Sequence, residues 1–445
     1  MLLLIFVLRM QRTTQSYKIK NLLHCKQQLL QWAQTFEDVV WLDSNSYEGQ
    51  RYPEYEGILA VDAFTSIQTS FEGAFDRLEE YQQMTADWIF GYLGYDLKND
   101  TERLTSKNSD GLGFPDLHFF QPKKIFLLKG NTIELLYLGM VDDEIEEDWK
   151  AIQEIQFPML DTEHATSNSL SIKLKIHKEA YKEKVRTMLH HIHRGDIYEA
   201  NLCQEFYAHG SIDPLQTYTN LNAISSPPFA TFLKMDTHYL LSATPERYLK
   251  KIGDKIISQP IKGTAARGKN DLEDSAFAKA LSIDSKERSE NIMIVDLVRN
   301  DLSRTAKKGS VTVEELCEVY VFKQVHHMIS TIVSEIGVGI SPVDVIRSTF
   351  PMGSMTGAPK VSAMKIIEEL EESKRGLYSG AVGYFTPEGD FDFNVIIRSI
   401  LYNEMKGYIS YSVGGAITAQ SDPDKEYAEC LLKARAMRDV LEGNS

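Results

Sequence analysis

The sequence predicts a globular protein of mixed α and β structure, because helical and strand patterns alternate along most of its length. Amphipathic segments with helical periodicity predict helices, and the short apolar runs between them predict strands. The chain has 445 residues, of which 43% are hydrophobic and 25% charged. This composition can bury a large core and excludes a disordered or fibrous protein. The length allows one large domain or several smaller ones.

The first part of the chain mixes both patterns. Strand-like runs occur at 39–42 and 124–128, and a helical pattern spans 74–83. From 142 to 169 the sequence is first acidic and then polar and irregular, which is typical of a connection between two parts of a fold. We therefore expect a poorly ordered extension at 1–16, an N-terminal region at 17–165 and a second region at 170–440.

The periodic patterns are stronger after residue 172. The pattern at 177–194 predicts an amphipathic helix that ends at Gly195, since glycine accepts the left-handed backbone that often closes a helix. Further helices are expected at 286–299, 362–372 and 425–442. Strands are expected at 229–232, 239–242, 381–385, 395–401 and 408–413.

Charge and cysteine content limit the partners and the compartment. The 48 basic and 63 acidic residues give a formal net charge of −15, which argues against a nucleic-acid or anionic-membrane surface. An anionic substrate would need a bound cation, or a few convergent Arg and Lys residues. The apolar run at 1–7 is too short to cross a bilayer, so a membrane signal is the weaker interpretation. Four scattered cysteines, without Cys-x-x-Cys spacing, favour a reducing cytoplasm.

The segment 260–264, Pro-Ile-Lys-Gly-Thr, places one lysine in a glycine-flanked turn. A lysine in water has a pKa of about 10.4 and attacks carbon only when that value is lowered. Apolar residues before Lys262 would desolvate its amine, and Arg267 would add a positive charge that disfavours the ammonium. Gly263 and Thr264 let the backbone approach a ligand closely. Lys262 is thus a candidate covalent nucleophile, and the alternative is a solvated lysine at a strand end.

Two glutamate pairs could hold a metal ion. Glu287 and Glu290 are three residues apart, as are Glu426 and Glu429, and this spacing places both carboxylates of a pair on one helix face. Together they would suit Mg²⁺, which prefers hard oxygen ligands. Lys433 shares the face of Glu429. The alternative is an ordinary ladder of surface salt bridges.

These segments together resemble the chorismate-utilising enzyme family, which includes anthranilate, aminodeoxychorismate, isochorismate and salicylate synthases. The resemblance covers residues from about 172 to 440, and more loosely the segments 42–45 and 90–96. It implies an α+β fold of two intertwined halves, with two orthogonally packed antiparallel sheets surrounded by helices. The motifs that carry it lie at 196–202, 244–246, 260–264, 286–301, 326–327, 353–360, 378–384, 397–398, 414–415 and 426–433.

Position 262 indicates a branch of this family. Anthranilate synthases resemble Pro-Ile-Ala-Gly-Thr at 260–264, whereas aminodeoxychorismate synthases resemble the Pro-Ile-Lys-Gly-Thr found here. The resemblance therefore implies amination of chorismate to 4-amino-4-deoxychorismate, on the route to para-aminobenzoate and folate. The alternatives are anthranilate synthase component I and, in another class, an inactive partner subunit of a glutamine amidotransferase.

The resemblance also implies catalytic and metal-binding roles. Lys262 would attack the ring of chorismate at C2, while Glu246 protonates the departing C4 hydroxyl and His327 lies near this leaving group. Glu246 would then need a raised pKa, and Lys262 a lowered one. Mg²⁺ would bind the ring carboxylate. Its direct ligands would be Glu290 and Glu429, with Glu287 and Glu426 as outer or water-mediated partners.

Substrate-binding roles follow from the same resemblance. Arg398 and Tyr378 would hold the enolpyruvyl carboxylate together with backbone amides near Gly414 and Gly415. The full set of expected substrate-binding residues is Glu199, Gly263, Thr264, Ser354, Thr356, Tyr378, Arg398, Gly414, Gly415 and Lys433. The motif residues Tyr384, His326 and Cys203 are expected to be packing residues.

The sequence departs from the family pattern at three places. Glu199 stands where the aminating relatives usually resemble Gln and the isochorismate and salicylate synthases carry Lys, so it could activate water, repel the substrate or pair with Lys262. Ala416 follows Gly414 and Gly415 where relatives resemble Gly-x-Gly. The segment 42–45, Leu-Asp-Ser-Asn, lies where relatives resemble a tryptophan site, so tryptophan binding there is a hypothesis.

The sequence contains no glutaminase features, neither a Gly-x-Cys-x-Gly nucleophile turn nor a Cys-His-Glu set. Ammonia is therefore expected from a separate glutamine amidotransferase subunit, or from solution at high concentration. A C-terminal lyase segment is also missing, so formation of para-aminobenzoate would need another enzyme.

Overall fold

The computed structural model describes residues 11–49, 51–157 and 170–443. The strands are β1 (Arg12–Lys18), β2 (Asp38–Asp43), β3 (Gly57–Thr69), β4 (Ile89–Leu93), β5 (Leu117–Lys129), β6 (Thr132–Leu138), β7 (Lys173–Leu174), β8 (Glu199–His209), β9 (Phe229–Met235), β10 (His238–Thr244), β11 (Arg247–Ile252), β12 (Lys255–Gln259), β13 (Ile261–Ala266), β14 (Thr312–Val321), β15 (Val325–Glu335), β16 (Gly357–Ala358), β17 (Ala381–Phe385), β18 (Phe391–Val395), β19 (Ser399–Asn403) and β20 (Tyr408–Thr418). The helices are α1 (Leu22–Ala33), α2 (Ala74–Thr85), α3 (Lys98–Glu102), α4 (Ile145–Glu154), α5 (Lys178–Arg194), α6 (Pro214–Ser225), α7 (Asp271–Ile283), α8 (Ser285–Ser303), α9 (Pro342–Thr349), α10 (Lys360–Leu370) and α11 (Pro423–Glu442). Short 3₁₀ turns lie at Tyr95–Leu97, Asp142–Glu144 and Gly353–Met355.

The named strands pair antiparallel and form one network with two arms that meet at β5. The first arm has the order β1-β6-β5-β3-β2-β9-β10-β19-β20-β8, and the second runs β5-β4-β17-β18-β11-β12-β15, with β13 and β14 also paired to β15. Residues 117–120 of β5 pair with β4, and residues 124–129 pair with β6. Pro122 lies at this change of partner, where its lack of an N–H removes one ladder hydrogen bond.

The predicted α+β class with antiparallel sheets and helices is confirmed, and the two expected sheets correspond to two arms joined through β5. N-terminal strands are also built into both arms. β2 pairs with β9, and β4 pairs with β17, so segments more than 185 residues apart share ladder hydrogen bonds. The regions at 17–165 and 170–440 therefore do not form separate sheets.

Several expected boundaries differ from the structure. Residues 12–16, expected in a poorly ordered extension, belong to β1, because they pair with β6 along its whole length. The acidic start of the expected connection is α4, which buries Ile145, Trp149 and Ile152 on one face while its acidic residues stay on the others. Residues 1–10 and 158–169, which carry the rest of these two expectations, lie outside the described residues.

The predicted continuous strand at 395–401 is wrong in a way that affects the site. β18 ends at Val395 within the second arm, and β19 begins at Ser399 within the first arm. The three residues between them carry the chain from one arm to the other, and Arg398 has a φ of 50°, in the left-handed region that non-glycine residues rarely adopt. A period-two pattern cannot reveal this break, because the residues on both sides have strand character.

Hydrophobic packing forms two large clusters and a small third one. The small cluster consists of Leu281, Cys317 and Met328, with Ala265 and Val319 against it, and it packs behind β13. Cys203 and Tyr384 are buried, as expected of packing residues. Over the described ranges, no helix combines the length and the apolar character that crossing a membrane would need.

Candidate active site

Lys262 lies near the start of β13 and its side chain is 15% exposed. Its Nζ atom is 3.8 Å from Oε2 of Glu199, the first residue of β8. Glu199 is itself buried, and its Oε2 atom has no hydrogen-bond partner. Burial raises the pKa of Glu199, and Lys262 opposes this shift. Of the three roles open to Glu199, the structure favours pairing with Lys262.

The backbone at Gly263, where the register between β13 and β15 shifts, packs against the first glutamate pair. Gly263 has a φ of 99°, and a Cβ atom there would lie 3.2 Å from Oε2 of Glu287 and 3.2 Å from the Cβ atom of Met328. A side chain at this position would be both strained and crowded. The carbonyl of Lys262 accepts a hydrogen bond of 3.1 Å from the side-chain amide of Asn291. Gly263 therefore lets β13 approach α8, and Asn291 fixes the backbone that carries Lys262.

Glu246 lies between β10 and β11 and is 4% exposed. Burial raises the pKa of its carboxyl to about 7, while Ser354, Lys262 and Arg398 oppose the shift. A substantial fraction of Glu246 is therefore protonated at neutral pH, as a general acid must be. This agrees with the direction that the sequence predicted.

His327 is held between two predicted site residues. Its Nε2 atom is 3.2 Å from a guanidinium nitrogen of Arg398, and its Nδ1 atom is 2.9 Å from Oγ1 of Thr264. Arginine can only donate, so Nε2 accepts, and the ring proton of neutral His327 is on Nδ1 and is donated to Thr264. Burial, followed by the charge of Arg398, lowers the pKa of His327 well below its usual value. A neutral His327 cannot act as a strong acid at neutral pH, so we assign His327 the role of orienting Arg398.

Thr264→Val should remove one of the contacts that fix the ring proton of His327 on Nδ1. Removing the hydroxyl takes the Thr264 partner away from Nδ1 of His327 and leaves the Gly263 backbone as its remaining hydrogen-bond partner, while the shape of the residue 264 side chain stays nearly the same. We expect the chorismate KM to rise about tenfold, because Arg398 loses its fixed acceptor and becomes less ordered. Steady-state kinetics measures this change, and proton–nitrogen correlation spectra of the imidazole report the tautomer. An unchanged KM and an unchanged ring spectrum would contradict the assignment.

The four candidate metal ligands lie on α8 and α11 and influence each other electrostatically. Burial raises the pKa of Glu287, and the charges of Glu290 and Glu429 raise it further. Burial also raises the pKa of Glu426, and the charge of Glu429 adds to this increase. The structure thus places the two helical pairs close enough for Glu429 to act on Glu287.

Lys433 takes part in this acidic cluster. Burial acts to raise the pKa of Glu429, but Lys433, 2.8 Å away, outweighs it, so the pKa is lowered. The Nζ atom of Lys433 also donates to the carbonyl oxygen of Gly414, 3.0 Å away. A Cβ atom on Gly415 would lie 3.4 Å from Oε2 of Glu426. The glycine segment of β20 therefore lies directly against the carboxylates of α11.

The donor chemistry of these carboxylates fits a hard divalent cation. The charge of Glu429 on α11 helps to raise the pKa of Glu287 on α8, and a bound cation would relieve this repulsion. Across the described ranges, no three His, Cys, Asp or Glu side chains are arranged as a metal cage. Mg²⁺ commonly binds through one or two carboxylates together with water and a substrate anion, so it does not need such a cage.

Three further predicted substrate-binding residues are Ser354, Thr356 and Tyr378. Ser354 hydrogen-bonds the carboxyl of Glu246. The hydroxyl of Thr356 donates within its own loop to the carbonyl of Met352, 3.2 Å away, so its structural role is to shape that loop. The Tyr378 hydroxyl is 3.6 Å from Sγ of Cys203, and a Cβ atom on Gly414 would lie 2.4 Å from the same sulfur. Tyr378 thus lies beneath the Gly414 backbone, where it supports that segment.

The charge expected from Arg267 is compensated in the structure. Its guanidinium pairs with Asp274 at 2.7 Å and also donates to the carbonyl of Phe322. Asp274 additionally contacts Nε2 of His326. The expectation that Arg267 acts on Lys262 as a free cation is therefore wrong, because a carboxylate from α7 neutralises it.

Sequence reasoning missed several residues that support the site. Arg375 is buried, pairs with Glu371 and donates to the carbonyls of Met355 and Asn201. Lys360 is buried against Asp301. Lys360, Asp301 and Asn291 all lie inside motifs that carried the family resemblance, so their polar character at buried positions was an available signal.

A separate pocket lies beside the 42–45 segment. Its walls include Leu42, Asp43, Tyr55 and Phe229. The carboxylate of Asp43 pairs with Lys26 at 2.6 Å, and the Asn45 side chain donates to the carbonyl of Pro227. Tryptophan binding here stays a hypothesis, and a thermal-shift titration that gives no stabilisation would remove it.

The site thus combines a buried acid, a lysine amine and an arginine with two glutamate pairs, an arrangement that suits an anionic substrate. The chain belongs to the chorismate binding enzyme family, which it matches over residues 37–439. Anthranilate synthase component 1 of Thermus thermophilus is 34% identical over 390 residues, which are 86% of this chain and 84% of that protein. Aminodeoxychorismate synthase component 1 of Escherichia coli is 37% identical over 354 residues, which are 79% of this chain and 76% of that protein.

Solved structures show the same fold. The crystal structure of anthranilate synthase component I from Streptococcus pneumoniae superposes with a TM-score of 0.76 at 26% identity, covering 87% of this chain and 93% of that one. The isochorismate synthase MenF from Escherichia coli has a TM-score of 0.73 at 17% identity, covering 97% and 95%. Relatives from both aminating branches are about equally similar, so overall identity does not select between them.

Proposed function

We propose that the protein is the chorismate-aminating component of an aminodeoxychorismate synthase, which forms 4-amino-4-deoxychorismate. The observation that carries this proposal is the lysine amine of Lys262, which lies in the same site as the buried acid Glu246. The alternative reaction, anthranilate formation, adds ammonia directly at C2 and eliminates pyruvate, and it needs no lysine nucleophile.

Two displacements account for the roles of Lys262 and Glu246. The neutral amine of Lys262 forms a bond to C2, the ring double bonds shift, and the C4 hydroxyl leaves as water with the proton of Glu246. Ammonia then bonds to C4, the double bonds shift back, and the bond between C2 and Nζ breaks. One proton of the new ammonium passes to the Glu246 carboxylate, so both residues return to their starting states.

The remaining residues would bind and orient the two carboxylates of chorismate. Arg398, whose orientation is fixed by His327, would hold the enolpyruvyl carboxylate in its planar fork. Glu290 and Glu429 would bind Mg²⁺, with Glu287 and Glu426 around them. Bound there, Mg²⁺ would neutralise the ring carboxylate and withdraw electron density from the conjugated ring. Glu199, whose Oε2 atom is 3.8 Å from Nζ, would orient the Lys262 amine.

Ammonia is the co-substrate, and a glutamine amidotransferase subunit is the expected source. The names of the relatives as component 1 support a second component. Such a partner would deliver ammonia at low external concentration. Tryptophan at the N-terminal pocket remains a separate hypothesis.

Product identity tests the proposal directly. The protein is incubated with chorismate, Mg²⁺ and ammonium, and the products are separated by chromatography and identified by mass. We expect 4-amino-4-deoxychorismate, which retains the enolpyruvyl group. Fluorescent anthranilate with released pyruvate would assign the protein to the other aminating branch, and no turnover would favour an inactive partner subunit.

Glu290→Gln and Glu429→Gln should each weaken the response to Mg²⁺. Each substitution removes an anionic ligand, so the Mg²⁺ concentration for half-maximal stabilisation by chorismate should rise at least about tenfold. Thermal-shift titration of Mg²⁺ at fixed chorismate measures this without relying on turnover. Glu369→Gln, on the exposed side of α10, is the matched control and should leave the titration unchanged. Wild-type titrations for both site variants would contradict this metal assignment.

A further inference from the structure

A cavity lies beside Glu246, and the proposed binding of chorismate and Mg²⁺ does not use it. Its walls come from β11, α8 and the loop before β16, and include Leu249, Val298, Leu302 and Met352. Glu246 and Ser354 also line it, whereas Lys262, Glu290, Glu429 and Arg398 do not. The cavity therefore reaches the general acid without touching the nucleophile or the metal-binding glutamates.

The size of the cavity limits its occupant. It has room for only about one water-sized molecule, far less than a ring substrate requires. In the proposed reaction, which this inference takes as given, two molecules of that size meet Glu246. They are the water that leaves from C4 and the ammonia that replaces it.

The charge of the walls distinguishes ammonia from ammonium. Most of the surface that lines the cavity is apolar, and the buried carboxylate of Asp301 is already paired with Lys360. The buried guanidinium of Arg247, which also lines the cavity, is paired with Asp392. Apart from Glu246 itself, the charged groups of the lining are therefore paired, so this mostly apolar enclosure disfavours an entering cation while Glu246 is protonated and accepts a small neutral molecule. Neutral ammonia is also the form that has a lone pair for attack on carbon.

We propose that the cavity beside Glu246 is the binding site from which neutral ammonia reaches C4 of the lysine-bound intermediate. Loss of the hydroxyl as water leaves Glu246 as a carboxylate at one wall. Ammonia moves past this wall, its lone pair forms the C4–N bond, and the bond between C2 and Nζ of Lys262 breaks. One N–H proton passes to Glu246 as the bond forms. Ammonia therefore approaches from the Glu246 side, away from the metal-bound carboxylate.

Val298→Leu tests this site, because one added methylene group matches the free space. Three quantities are measured for the full-length enzyme with chorismate and Mg²⁺. They are the KM for ammonium chloride, the KM for chorismate, and the rate of lysine adduct formation without ammonia, followed by intact-protein mass. We expect the ammonium KM to rise about tenfold while the other two stay within about twofold of wild type.

Matched variants keep the test decisive. Val295→Leu adds the same group on α8 at a buried position that does not line the cavity, and its ammonium KM should equal that of wild type. Val298→Ile adds the methylene group in a different direction, and it replaces Val298→Leu if that variant does not fold. Val298→Ala leaves the space open and should keep a low ammonium KM.

A wild-type ammonium KM in the filled variants would overturn the inference and leave the proposed function intact. Equal slowing of adduct formation would also overturn it, since the cavity wall would then merely support Glu246. A wild-type protein that forms neither adduct nor aminated product would instead refute the proposed function.

Discussion

Lys262→Ala should abolish almost all formation of 4-amino-4-deoxychorismate. The variant lacks the amine that forms the first bond to the ring, and a nucleophile of this kind contributes on the order of a thousandfold or more in rate. Mass spectrometry of the wild-type protein with chorismate and Mg²⁺, but without ammonia, should show an adduct of chorismate less one water. The variant should show none. Slow anthranilate formation is a further expected outcome, because direct addition of ammonia at C2 becomes the available route.

The control for this variant is Lys279→Ala, an exposed lysine on α7 close to β13 in sequence. It should keep both the adduct and the product. Unchanged aminodeoxychorismate formation by Lys262→Ala would show that the covalent step is not used. The proposed function would then rest on product identity alone.

Glu246→Gln should lower the rate by about a hundredfold to ten-thousandfold, the range typical of a positioned general acid. Glutamine keeps the size and hydrogen bonding of the side chain but has no proton to give the leaving hydroxyl. The wild-type pKa of about 7 also predicts a pH dependence. The ratio of the wild-type rate of adduct formation to that of the variant should fall about tenfold per pH unit above pH 7, because Glu246 loses its proton there while the dependence on the Lys262 amine is common to both. A ratio that stays constant through pH 7 would refute the assignment.

The same variant should be more stable than wild type in alkaline solution. The folded pKa of Glu246 is raised above its unfolded value of 4.5. The native state therefore binds more protons between pH 4.5 and 7, and stability present below pH 4.5 is lost as the pH rises through about 7. The full loss corresponds to about 3 kcal/mol of unfolding free energy. Urea unfolding at pH 8.5 should show a gain of this order in Glu246→Gln that disappears at pH 4.5, and equal stabilities at pH 8.5 would contradict it.

The sequence predicted most of the site but few of the contacts that define it. Lys262 and the paired glutamates were recognisable because residue type and helical spacing depend on local sequence alone. The tautomer of His327 depends on Arg398 and Thr264, which come from other parts of the chain, so no local pattern contains it. The effect of Arg267 on Lys262 was mispredicted although Asp274 is only seven residues away, because the two side chains meet only when α7 packs against β13.

The fold was predictable at the level of class and of most elements. The apolar stripe of α4 at 145, 149 and 152 was present in the sequence, but the acidic residues around it are equally typical of a connecting segment. The break at 396–398 arises because β18 and β19 pair with different arms, and a strand's partners cannot be deduced from its own alternation. Long-range contacts therefore account for the missed break at 396–398 and for the tautomer of His327.

The pairing of β2 with β9 and of β4 with β17 limits how this chain can be recombined with its relatives. In chimaeras that take residues up to about 157 from one homologue and the remainder from another, strands of different origin would have to pair in both arms. Complementary fragments should associate only by rebuilding these ladders together. The interleaved sheet thus behaves as one unit in recombination. Crossover points that preserve its long-range strand pairs lie in surface turns between neighbouring strands of the same hairpin.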